Sequence, residues 1–238
     1  MRRLPIIIAA VVATLLLAAC GGTDSTATTT RPEVPLNIVP SNYVQFRGQP
    51  TACGAVAPAP LSPMEFDAPA DMALDPSTAI RATMSTSCGD LEIELDPGIA
   101  PETVNSFVFL STEGYFDGTA LHRVIPGFVA QGGDQTATGT GGPGYTIPDE
   151  FPSPGMGYER GTLAMANAGP GTTGSQFFIV VEDTGLPPQF TIFGRVVDGF
   201  DVLDRLQEVP LGMAPGSPDP TASTPLETIY VNTVTIDR

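Results

Sequence analysis

Leu121-His122-Arg123-Val124-Ile125-Pro126-Gly127-Phe128-Val129-Ala130-Gln131-Gly132-Gly133-Asp134 is the most informative stretch of this 238-residue chain. It holds the only histidine, so a multi-histidine zinc site, H-E-x-x-H included, is excluded. A Ser-His-Asp triad would have to recruit His122, yet no G-x-S-x-G elbow exists to present a serine. Some forty residues on comes a second dense stretch, Met165-Ala166-Asn167-Ala168-Gly169-Pro170-Gly171-Thr172-Thr173-Gly174-Ser175-Gln176-Phe177-Phe178-Ile179. In its closing strand-like run, period-two alternation sends Phe177 and Phe178 to opposite faces. Between the two stretches, Gly139-Thr140-Gly141-Gly142-Pro143-Gly144 satisfies G-x-G-x-x-G as a string. It is followed by Tyr145-Thr146-Ile147-Pro148 rather than by a helix, so it reads as a surface loop and not as a dinucleotide cradle.

Leu91-Glu92-Ile93-Glu94-Leu95 alternates apolar and polar, the mark of a half-buried strand with Glu92 and Glu94 on its solvent face. Pro101-Glu102 followed by Val104, Phe107, Val108 and Ser111 predicts an amphipathic helix ending near Gly114. A second, shorter helix is predicted over Val202–Gln207, with Val202, Leu203 and Leu206 inward. Phe177–Val181, Thr191–Phe193 and Ile229–Ile236 read as strands. This order is not a βαβα alternation. Many strands, two helices and Gly-rich turns point to a mainly β protein built as a closed antiparallel barrel.

The two stretches together resemble the signature blocks of the cyclophilin family, in the family's order, and the resemblance runs from about Ile80 to Arg238. It implies an eight-stranded barrel capped by two helices and a peptidyl-prolyl cis-trans isomerase that needs neither metal nor cofactor. Arg123 matches the family's catalytic arginine. Phe128 and Phe178 match the residues lining the apolar proline pocket, which Val129 and Leu186 complete, and Gln131 matches the glutamine that orients the arginine. Ala166, Asn167 and Ala168 offer backbone groups to an extended peptide, Gln176 lies beside them, and His122 and Phe190 complete the set of candidate substrate contacts. The chain departs from many eukaryotic members around Leu186–Phe190: it has no tryptophan, and Phe190 stands where they carry a histidine. Weak cyclosporin inhibition is the expected consequence. The alternative is a module that binds proline-containing segments without turning them over; intact Arg123, Phe128, Gln131 and Phe178 argue for the enzyme.

The N-terminus carries a separate signal. Met1-Arg2-Arg3 precedes an apolar run, Ile6 to Ala19, too short for a membrane span of ~20 residues. Its end, Leu17-Ala18-Ala19-Cys20, resembles the bacterial lipobox, in which the cysteine is acylated and becomes the first mature residue. The expected organisation is a signal peptide over 1–19, a flexible tether over 20–49 from a lipidated Cys20, an irregular Pro-rich arm over 50–78 and the isomerase domain over 79–238. The protein is then exported and held to the outer face of the membrane by acyl chains, as a monomer acting on proline-containing polypeptides. Cys53 and Cys88 remain as an even pair in an oxidising compartment, which favours a disulfide. The net charge of −16, with arginine as the only basic residue type besides His122, excludes nucleic acid as a partner.

Overall fold

The computed structural model describes residues 38–237; the signal-peptide and Cys20 expectations fall outside the described residues. In chain order the elements are helix α1 (Tyr43–Gly48), strands β1 (Ile80–Thr86) and β2 (Gly89–Leu95), helix α2 (Pro101–Thr112), and strands β3 (Thr119–Ala120), β4 (Arg123–Ile125), β5 (Val129–Gly132), β6 (Thr162–Met165), β7 (Phe177–Val180) and β8 (Ile192–Asp198). Helix α3 (Phe200–Glu208) and strands β9 (Leu211–Gly212), β10 (Thr224–Pro225) and β11 (Tyr230–Asp237) complete the chain.

Nine strands form one antiparallel sheet in the order β3-β11-β1-β2-β8-β6-β7-β5-β4. Its two end strands, β3 and β4, are separated in sequence only by Leu121 and His122, so the sheet must curl until its ends meet in one run of chain. Counting that run as a single strand recovers the eight expected from sequence. The β1–β2 ladder pairs Ala82 with Ile93 and Met84 with Leu91, and all four are buried. Glu92 and Glu94 face outward as the alternation required; Glu92 accepts a hydrogen bond from Thr83, and Glu94 pairs with Arg81 and Arg195.

Helix α2 lies against the interior of the curled sheet. Phe107 meets Phe116 at 5.0 Å, Phe193 at 5.1 Å and Phe177 at 5.9 Å between ring centroids. Its first turn has no side-chain cap of its own at Ala100. Glu150, from a distant loop, supplies one: its carboxylate accepts from the backbone N–H groups of Glu102 and Thr103 at 3.1 and 2.9 Å, and from the Thr103 hydroxyl at 2.7 Å. A negative charge at a helix N-terminus also answers the helix dipole. Helix α3 buries Val202, Leu203 and Leu206, as its spacing predicted.

The tether expected over 20–49 is corrected at its C-terminal end. Asn42 caps α1 by accepting from the Gln45 N–H, Phe46 is 1% exposed against Ala120 and Ala137, and the Tyr43 N–H donates to the Thr136 carbonyl at 2.7 Å. A six-residue helix with one buried aromatic leaves too little periodicity to be read from sequence. The following arm is irregular but fastened. Met64, Phe66, Met72 and Leu74 pack on the core, with Phe66 edge-on to Phe109 at 5.0 Å. The Met72 N–H donates to the Asn105 side chain, which in return donates to the Ala70 carbonyl.

Cys53 and Cys88 form the disulfide anticipated from their even count, joining the arm to the β1–β2 turn with Cα atoms 5.2 Å apart. The bond closes a loop of 35 residues. In the chain-entropy account such a cross-link stabilises by roughly 2–4 kcal/mol. The double variant Cys53→Ser/Cys88→Ser should lose stability of that order in urea unfolding; a change below about 0.5 kcal/mol would show that the arm is held by its apolar contacts alone.

Candidate active site

Cross-strand register assembles the site. In the β4–β5 ladder Arg123 stands opposite Gln131, in β5–β7 Gln131 stands opposite Phe178, and in β6–β7 Phe178 stands opposite Ala164. Directly opposed residues share a face of the sheet, and neighbouring strands lie ~4.8 Å apart. One lateral row therefore carries a guanidinium, an amide, an aromatic ring and a small side chain across four strands. Along each strand the alternate residues Val124, Ala130, Phe177 and Ile179 point into the main core instead. Phe177 and Phe178 thus fall in different apolar clusters, as their alternation predicted.

The outward cluster joins Val129, Tyr158, Ala164, Phe178, Val180 and Ile192, with Phe128, Ala166, Leu186 and Phe190 half-buried against it. Phe190 meets Phe178 edge-on, 5.6 Å between centroids and 84° between planes. The rim segment that departs from the family pattern is held in place by Tyr158. Its hydroxyl donates to the Phe190 carbonyl at 2.8 Å and lies 3.2 Å from the Phe190 N–H as an acceptor. Asn167 fixes the same segment by donating from its side chain to the Gln189 carbonyl at 2.9 Å. Sequence reasoning missed Tyr158 because its partner lies 32 residues away and no local pattern marks it.

A chain of polar contacts crosses the face beside this pocket. Arg123 donates from Nη1 to Gln131 Oε1 at 3.0 Å, Gln131 donates to Gln176 at 3.0 Å, and Gln176 donates to the Gly141 carbonyl at 3.0 Å. Each amide is oriented by the next. On its other edge Arg123 meets Asp219, with Nη2 2.7 Å and Nε 2.9 Å from the carboxylate. The Arg123 side chain remains 30% exposed. A cavity of about 360 Å³ extends from Gln131 along Ala166, Asn167, Ala168 and Gln176. The structure thus brings together Arg123, Phe128, Val129, Gln131, Ala166, Asn167, Ala168, Gln176, Phe178, Leu186 and Phe190. The arm over 50–78 contributes nothing to the apolar cluster around Phe178.

His122 is placed differently. It is buried at 8% exposure behind Arg123, and neither ring nitrogen makes a hydrogen bond of normal geometry. With Arg123 and Gln131 it lines a cavity of about 450 Å³, and beside it lies Asp134, whose carboxylate accepts from the backbone N–H groups of Thr136, Thr138, Gly139 and Gly141 and so shapes the loop over 134–141. Burial pushes the His122 pKa down to about 4, outweighing the attraction of Asp134, while the neighbouring Arg123 charge lowers it further. The folded state therefore prefers neutral His122. Its contribution to stability is intact above the ordinary histidine value of 6.5 and is lost as pH falls from there through about 4. As the chain's only histidine, it gives one unambiguous ring resonance in tag-free protein, expected to titrate near pH 4; a midpoint near 6.5 would place the ring in solvent.

The family model "Cyclophilin type peptidyl-prolyl cis-trans isomerase/CLD" matches residues 81–235. Peptidyl-prolyl cis-trans isomerase B of Streptomyces anulatus is 43% identical over 177 residues, covering 66% of this chain and 97% of the relative. The Bacillus subtilis protein of the same name is 52% identical over 112 residues, 47% of this chain and 78% of the relative. Among solved structures, a Cryptosporidium parvum cyclophilin-type isomerase, crystallised in the presence of the dipeptide Ala-Pro, superposes with a TM-score of 0.58 at 35% identity, covering 66% of this chain and 99% of its own. With the curled sheet, the inward helix and the row from Arg123 to Phe178 already in place, these likenesses lead to one assignment: the chain belongs to the cyclophilin-type peptidyl-prolyl cis-trans isomerase family.

Proposed function

We propose that Arg123 is the catalytic residue of this isomerase and that the enzyme turns over X–Pro bonds in exported proteins while anchored to the outer face of the cytoplasmic membrane. Rotation about an X–Pro bond faces a barrier of ~18–20 kcal/mol, because amide resonance must be broken. No nucleophile is needed. As the bond twists, the proline nitrogen becomes pyramidal and gains a lone pair, so a donor aimed at it stabilises the twisted state more than either planar one. A guanidinium suits the task, since it stays charged and its donors form a rigid fork. The observation that carries this reading is the register that sets Arg123 two strands from Phe178 on one face.

In this reading Phe128, Phe178, Leu186 and Phe190 grip the proline ring, and Val129 and Ala166 floor the pocket. A pocket of this chemistry fits the apolar five-membered ring of a proline such as that of the dipeptide present with the Cryptosporidium parvum relative. The cavity along Ala166 to Ala168 and Gln176 takes the extended chain on one side. Such an enzyme leaves the cis/trans equilibrium of free substrate unchanged and shortens a step that otherwise takes tens of seconds.

Two features support the extracytoplasmic setting. One is the run ending Leu17-Ala18-Ala19-Cys20, and the other is the Cys53–Cys88 disulfide, a bond that persists in oxidising compartments. We take the protein to act as a monomer.

A protease-coupled prolyl-peptide assay tests the catalytic role. Arg123→Ala should lower kcat/KM by about 10²–10³-fold, the usual loss on removing one transition-state donor; wild-type rates from the variant would defeat the assignment. Location has its own test in cells. Mass spectrometry should find a mature N-terminus beginning at acylated Cys20, and Cys20→Ala should leave the detergent phase on Triton X-114 partition. An unmodified Cys20 still joined to residues 1–19 would refute the anchor.

A further inference from the structure

No sequence pattern announced Asp219, which lies 96 residues from its partner Arg123. It sits in the loop over 213–223, whose base is closed by the β9–β10 pairing of Gly212 with Thr224 and Leu211 with Pro225. That base is tied to the strand carrying Arg123: the Val124 N–H donates to the Ser223 carbonyl at 2.7 Å. Within the loop the Ser217 N–H donates to the Ala214 carbonyl, and the Asp219 N–H donates to the Ser217 hydroxyl at 3.2 Å. The carboxylate is thereby carried back over β4 and presented to one residue of it.

The contact is a two-point fork. Asp219 accepts from Nε at 2.9 Å and from Nη2 at 2.7 Å, along the side edge of the guanidinium, while Gln131 accepts from Nη1 at 3.0 Å. Three of the five N–H groups are held from two sides, which fixes the plane of the group and leaves one N–H on Nη1 and one on Nη2. The Asp219 side chain is only 8% exposed. Its hydrogen bonds from Arg123 hold its carboxyl below the usual carboxylate range against the opposing effect of burial, so the pair stays ionised across neutral pH. His122 also lies beside Arg123 and is neutral at that pH.

We propose that Asp219 is a positioning residue for the isomerisation: it locks the Arg123 guanidinium so that a remaining Nη donor meets the lone pair of the proline nitrogen. This rests on Arg123 being the catalytic donor. A long flexible side chain aimed by a single amide would spend much of its time in other rotamers, and a hydrogen bond that acts only in a twisted, short-lived state depends on prior alignment. The loop over 213–223 is then part of the catalytic apparatus, and its residues Ala214 to Asp219 line one cavity with Arg123 and Gln131.

The test compares the full chain carrying Asp219→Ala, Asp219→Asn, Arg123→Ala and the Arg123→Ala/Asp219→Ala pair, using exchange NMR on an Ala-Pro peptide. Asp219→Ala should lower kcat/KM about tenfold while leaving the peptide Kd within about twofold, since alignment matters in the transition state and not in the planar complex. Asp219→Asn, which keeps the loop's shape and one acceptor, should fall between. In the Arg123→Ala background, removing Asp219 should have no further effect. The Arg123 Nε–H signal should lose its protection from exchange in Asp219→Ala, with the thermal midpoint reporting that the fold is intact. An Asp219→Ala rate equal to or above wild type, or an equal loss with Arg123 already removed, overturns the proposal. Wild-type activity in Arg123→Ala would instead defeat the underlying reading of the arginine.

Discussion

Everything at the site depends on the antiparallel register of β4, β5 and β7. A pleated strand sends alternate residues to opposite faces, so a slip of one position would exchange Arg123 for Val124 and Phe178 for Phe177. The apolar interior prevents that slip. Phe107, Phe116, Phe177 and Phe193 interlock inside the sheet, and the same contacts that bury Phe177 require Phe178 to face out. Core packing and active-site geometry are therefore one constraint read from two sides of a strand. Register sets the strand positions of the ring and the arginine, and the hydrogen bonds from Gln131 and Asp219 then hold the guanidinium itself.

Sequence carried the fold a long way, because the elements that matter are strongly periodic. Leu91–Leu95, the Pro101 helix and the Val202–Leu206 stripe each show their buried face in their own spacing. It also named Arg123, Phe128, Gln131 and Phe178 together, because they sit in two compact blocks, and the structure sets Arg123, Gln131 and Phe178 in one cross-strand row. What it left unread is interaction across long separations. Glu150 caps α2 from 47 and 48 residues away, Tyr158 braces Phe190 from 32, and Asp219 reaches Arg123 from 96. None of these leaves a local trace, since a lone acid or tyrosine in a loop looks the same with or without its partner. Helix α1 failed to show for the opposite reason: it is local but too short, with a single buried ring, to raise a periodic signal.

The N-terminal part of the described chain changes the picture of the molecule from a domain on a string to a domain wearing a strap. Helix α1, the disulfide and the apolar contacts of Met64, Phe66 and Met72 fix the strap at several points. Its path runs over α2 and the loop over 135–145, and its first residues, Pro40, Ser41 and Phe46, line a cavity with Arg123 and Gln131.

The continuity of β3 and β4 has a bearing on what this enzyme handles. An unfolded polypeptide is an extended chain in search of hydrogen-bond partners, and a sheet with a long bare border would offer it a place to add on as another strand. Here the borders are pieces of two and three residues within one run, and the β4 border is occupied by Ser223. At this sheet's ends a client therefore meets only these short pieces of border.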